Sequence, residues 1–86
     1  MKSDLDIKFN KAFEKISTLE KTIAPDNLLK LYAYYKQATS GNNFLSNTTS
    51  SDLVNGFKFN AWKQLNGMPQ EKAKKEYIKL AKIIIS

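Results

Sequence analysis

Apolar residues recur at spacings of three and four in four stretches of this chain, and helix start or stop signals flank each stretch. In the first, Phe9, Ala12, Phe13, Ile16 and Leu19 fall on one helical face. Ser3 is a candidate N-cap, and Asp6 places an acid in the first turn. The pattern breaks between Thr22 and Pro25, because Ala24 precedes a proline and is pushed out of the α region. A second helix is expected from Pro25 or Asp26, where a missing N–H costs nothing. Its stripe is Leu28, Leu31, Tyr32, Tyr35 and Ala38, and Gly41 is placed to end it in the left-handed region. Residues 42–51 read as a polar loop. Ser51 or Asp52 then caps a third helix whose face is Leu53 or Val54, Phe57, Ala61, Trp62 and Leu65, ending at Asn66-Gly67. Pro69 and Glu71 open a fourth, with Ala73, Tyr77, Leu80, Ala81 and Ile84 in register. Four amphipathic helices joined by mostly short connections predict a small all-α bundle, with the long loop on its rim.

Composition changes this picture mainly by exclusion. The 86 residues hold 14 lysines against 8 acids, a net charge of +6, with no Arg, His or Cys. Disulfides, a catalytic Cys, His-based general-base chemistry and Cys/His zinc sites are therefore ruled out. No calcium-loop pattern arranges the carboxylates, so no metal is expected. No apolar run approaches the ~20 residues that span a bilayer, and the N-terminus lacks a signal-peptide pattern. A cytoplasmic protein is the expectation, and nothing demands an oligomer, so a monomer is expected too. The positive balance suits a polyanion: nucleic acid, an anionic membrane surface or a phosphate-bearing small molecule. Absence of Arg weighs against base-specific DNA reading. Lys72, Lys74, Lys75, Lys79 and Lys82 read first as the solvated face of the fourth helix, and second as a docking face for acidic membranes or enzymes.

Three of the four tyrosines fall between residues 32 and 35. On a helix Tyr32, Tyr35 and Lys36 share a face, which offers flat rings, hydroxyls and an ammonium together. Such a face suits a ligand with an aromatic ring beside a phosphate, although aromatic stripes at helical spacing are more often core. In the third helix Lys58 lies between Phe57 and Phe59, four residues before Trp62.

The run Tyr32-Ala-Tyr-Tyr35-Lys36-Gln37-Ala38-Thr39-Ser40-Gly41 resembles the Tyr-x-x-Tyr-Lys-Gln-Ala-Thr-x-Gly signature of the acyl-CoA-binding proteins. Lys58-Phe59-Asn60-Ala61-Trp62-Lys63-Gln64-Leu65-Asn66-Gly67 is similar to that family's Lys-aromatic-x-Ala-Trp-x-x-Leu-x-Gly, and Ala73 with Tyr77-Ile78 to its later Ala-x-x-x-Tyr-Ile. Three ordered motifs in one register cover nearly the whole chain. The resemblance implies a single domain over residues 1–86 with an up-down-down-up four-helix bundle. It implies a carrier of long-chain fatty acyl-CoA that forms an intracellular pool, needs no cofactor, performs no reaction and makes transient contact with membranes or acyl-CoA-using enzymes. By position, Tyr32, Lys36 and Lys58 fall where the family holds the CoA 3′-phosphate, and Tyr35 and Tyr77 beside the adenine and ribose. The backbone near Ala12 approaches the nucleotide, and Leu28, Leu29 and Leu53 match the acyl groove. The chain departs from the family at Ser17, where many members have Lys, at Phe59, and in residues 42–51, which lack a Pro-Gly. The alternative is a basic module for nucleic acid or anionic membranes, with phosphate contacts spread over many lysines.

Overall fold

The computed structural model describes residues 3–42 and 53–86, with side chains described from residue 56 onward in the second segment. Its helices are α1 (Asp4–Ser17), α2 (Pro25–Ser40), α3 (Leu53–Lys63) and α4 (Gln70–Ile85). Each end has a local cause. Ser3 Oγ accepts the Asp6 N–H at 3.2 Å and caps α1, while Thr18 closes it by donating its N–H to Glu14 O. Pro25 is the first residue of α2, and Ala24 takes the extended backbone (ψ 142°) that a following proline favours.

Three ends differ from expectation. Gly41 has the positive φ of 79° but pairs it with ψ −150°, a region essentially open to glycine alone. Leu65 lies beyond α3, in a turn where its N–H meets Trp62 O at 2.9 Å, because the chain must reverse before Met68. Pro69 sits just outside α4 as its extended N-cap residue rather than in its first turn.

Contacts across the bundle give the helix directions. Asp6 pairs with Lys74, and α1 residues 8–15 share a cavity with α4 residues 78–85, so α1 and α4 run parallel. Gln70 Nε2 donates to Ala38 O, joining the end of α2 to the start of α4, so these two are antiparallel. Lys58 meets Tyr32 and Lys36 meets Trp62, so α2 and α3 are parallel. The order is therefore up-down-down-up, the predicted all-α bundle. Parallel neighbours in sequence need a long return connection; the loop expected at residues 42–51 lies, from residue 43 onward, outside the described residues.

The core joins Phe9 and Ala12 of α1, Leu31 and Ala38 of α2, and Ala73, Tyr77, Ala81 and Ile84 of α4. The alanines let helices approach closely, and large rings fill the remaining space. α1 packs against α4, while α2 packs against both α3 and α4. Being covered on two sides, α2 also buries Ala33 and Gln37, which lie off the expected stripe. Gln37 is 1% exposed; its Nε2 donates to Met68 O at 2.8 Å and Asn42 Oδ1 at 2.9 Å, pinning the α3–α4 turn to α2. Trp62 Nε1 donates to Gly41 O at 2.9 Å and fixes α3 beside the end of α2.

Candidate functional site

Helices α1 and α2 meet only through side chains, leaving an open cavity of about 480 Å³ between them. Phe13 and Ile16 of α1 form one wall, and Leu28, Leu31, Tyr32, Tyr35 and Lys36 of α2 the other; Lys58 of α3 and Tyr77 of α4 complete the lining. Along α2, Leu28, Tyr32 and Lys36 stand one turn apart. The cavity therefore passes from apolar to cationic over roughly 12 Å of helix. An amphiphile with an anionic end fits that gradient.

The cationic end is organised by aromatic rings. Lys58 Nζ lies 5.5 Å from the Tyr32 ring centroid, and Lys36 Nζ lies 5.1 Å from that of Trp62. Each ring holds its ammonium by cation–π attraction, so both lysines that line the cavity are positioned before any anion arrives. Tyr35 stacks on Phe13 (centroids 4.8 Å apart, planes 25°) and on Phe9 (5.8 Å, 18°). Tyr77 meets Phe9 edge to face at 5.1 Å. Burial raises the Tyr77 hydroxyl to about 12, with the Tyr35 phenol adding to the effect, so Tyr77 stays a neutral donor.

Tyr32, Tyr35, Lys36, Lys58 and Tyr77 thus line one cavity together with Leu28. Leu29 is half-buried and is not among the lining residues, and the Leu53 side chain lies outside the described residues. Ala12 is elsewhere. It is buried against α4 and lines a second cavity of about 270 Å³ with Lys8, Lys11, Lys15, Ile78, Ala81, Lys82 and Ile85. Ala12 and Phe13 are about 100° apart around α1, so when one packs on α4 the other turns to the open side. Phe13, Ile16 and Leu31 are the lining residues that the sequence placed on helix stripes without assigning them to the site. Lys15 lines the second cavity, together with Lys8 and Lys11.

A family model described as acyl CoA binding protein matches residues 6–81. The chain belongs to the acyl-CoA-binding protein family. It is 37% identical over 78 residues to the acyl-CoA-binding protein of Saccharomyces cerevisiae, covering 91% of this chain and 90% of that protein. The crystal structure of Oryza sativa acyl-CoA-binding protein 2 superposes with a TM-score of 0.87 at 34% identity, covering 94% of this chain and 90% of that one. A similar segment, 36% identical over 72 residues, occurs in human enoyl-CoA delta isomerase 2, where it accounts for 18% of the length. The family is thus one of binding proteins whose domain also occurs within a larger enzyme. None of these matches supports the alternative of a nucleic-acid-binding module. Among the described residues no helix is long and apolar enough to cross a membrane, and no group of three or more His, Cys, Asp or Glu is placed to hold a metal ion.

Proposed function

We propose that this protein binds long-chain fatty acyl-CoA thioesters non-covalently and carries them as a cytoplasmic monomer, without catalysing a reaction. The observation that carries this reading is the graded cavity, apolar at Leu28 and Leu31 and cationic at Lys36 and Lys58, in a member of the acyl-CoA-binding protein family.

In this reading Lys36, Lys58 and the Tyr32 hydroxyl grip the 3′-phosphate, while the acyl chain follows α2 toward Leu28. Tyr35 and Tyr77 stand beside the nucleotide, and Leu31 joins Leu28 on the apolar side. Burying about 14 methylenes at ~0.8 kcal/mol each offers on the order of 11 kcal/mol gross. Ordering and lost translational freedom remove several kcal/mol of that, leaving nanomolar to micromolar affinity. The chain supplies most of the affinity and the phosphates supply selection. Delivery to membranes or acyl-CoA-using enzymes follows from a ligand held in an open cavity rather than sealed inside one.

Displacement of a fluorescent acyl-CoA tests this reading. Palmitoyl-CoA is expected to compete at low micromolar concentration or below, octanoyl-CoA far more weakly, and palmitate scarcely at all. Equal competition by palmitate and palmitoyl-CoA contradicts it.

A further inference from the structure

We propose that Phe13 is the stacking platform for the purine base of the bound nucleotide, a role that rests on the acyl-CoA reading above. The rings around the cavity differ in what covers them. The Tyr32 face carries the Lys58 ammonium, and the Trp62 face carries that of Lys36. Tyr77 lines the cavity but is only 2% exposed, so its ring is covered. Tyr35 is half-buried and stacked on by both Phe9 and Phe13. Phe13 is different: it lines the cavity and is 40% exposed, an apolar ring left in contact with water.

Its level along the groove separates two uses. Phe13 stacks on Tyr35, the neighbour of Lys36, and Tyr35 lies about 10 Å along α2 from Leu28. It therefore flanks the cationic end, where the phosphate-bearing part of a ligand belongs, and not the apolar end that suits the chain. A flat heteroaromatic ring laid on its free side extends the Tyr35–Phe13 stack by one layer at ordinary offset-stacking separation. Stacking of this kind is tolerant of base identity, so Phe13 adds affinity for a nucleotide without selecting the purine by hydrogen bonds.

The test compares two ligands that share the acyl chain and differ in the nucleotide: palmitoyl-CoA and palmitoyl-pantetheine. Phe13→Leu keeps an apolar side chain and removes the π face, and at an exposed position it is expected to leave the melting temperature within a few degrees. Palmitoyl-CoA binding should weaken at least fivefold in Phe13→Leu, with palmitoyl-pantetheine changed less than twofold. Phe13→Tyr should restore palmitoyl-CoA binding to within twofold. In the unsubstituted protein the adenine protons of bound palmitoyl-CoA should shift upfield through the Phe13 ring current, and this shift should vanish in Phe13→Leu. Equal weakening of both ligands means that Phe13 touches the chain, and unchanged binding of both means that it touches neither; each overturns the proposal. Failure of the unsubstituted protein to bind palmitoyl-CoA overturns the function itself and this inference with it.

Discussion

The Lys58 ammonium lies over the Tyr32 ring, 5.5 Å from its centroid, and so ties α3 to α2 at the edge of the cavity. Lys36 makes the reciprocal contact from α2 to Trp62 of α3 at 5.1 Å. The same two lysines therefore serve packing when the cavity is empty and remain available to an anion, because a cation–π contact at a partly exposed site is worth only ~0.5–1 kcal/mol.

Lys58→Met separates these duties, since it keeps the aliphatic stem and removes the charge. Palmitoyl-CoA affinity is expected to fall about tenfold or more, as a hydrogen bond to a charged group is worth ~1.5–3 kcal/mol. Stability should fall by no more than about 1 kcal/mol. Calorimetry and thermal denaturation of the same preparation check the two effects.

Tyr77 links site and core. It is 2% exposed, and its hydroxyl titrates at about 12, above the ordinary 10. The unfolded chain loses this proton at lower pH than the folded chain, so the neutral Tyr77 in the folded state disfavours folding increasingly as pH rises from 10 to 12. Tyr77→Phe has no such proton, so its melting temperature is expected to gain on that of the unsubstituted protein across this window. Tyr77→Ala should instead cost about 3–5 kcal/mol at neutral pH, as ring-sized truncations in a core do.

The Lys74–Asp6 pair joins α4 to α1, and its hydrogen bond and charge hold the Asp6 carboxyl below the ordinary carboxylate value of 3.8. A lowered folded-state value gives stability that is present above the unfolded value and disappears as pH falls through the folded one. Asp6→Asn is therefore expected to melt lower than the unsubstituted protein near neutral pH and to converge with it below pH 3.8. A series of melting curves from neutral pH to about 2 measures this, and high salt should shrink the gap.

Gln37 is a polar residue in the core, and its Nε2 satisfies Met68 O. Gln37→Leu leaves that carbonyl without its donor and is expected to cost about 1–3 kcal/mol. The loss should appear in chemical denaturation as a lower midpoint with an unchanged slope.

Much of this molecule is legible in its sequence because local signals and packing agree. Ser3 by its side-chain hydroxyl, and Pro25 and Gly41 by their backbone, mark helix ends, and each lies at such an end. Tyr32, Tyr35 and Lys36 share a face by spacing alone, and Lys58 and Tyr77 join them once the bundle closes. Periodicity fails where it must choose what covers a face. Phe9, Ala12 and Phe13 all belong to one apolar stripe, yet Ala12 packs on α4 while Phe13 turns to the cavity, a division set by where α4 lies. Burial of Gln37 has no signature in apolar spacing either, because its environment is made by the Met68 turn and Asn42, distant or outside the helix.

The most direct measurement is calorimetric titration of palmitoyl-CoA into the unsubstituted protein and Lys36→Ala, at two salt concentrations. Tight one-to-one binding is expected for the former, at least tenfold weaker binding for Lys36→Ala, and a smaller salt dependence in the variant because one phosphate contact is gone. Equal affinity and equal salt dependence in the two proteins contradict a phosphate-gripping role for the Tyr32–Lys36–Lys58 end of the cavity, and no binding to either contradicts the carrier function.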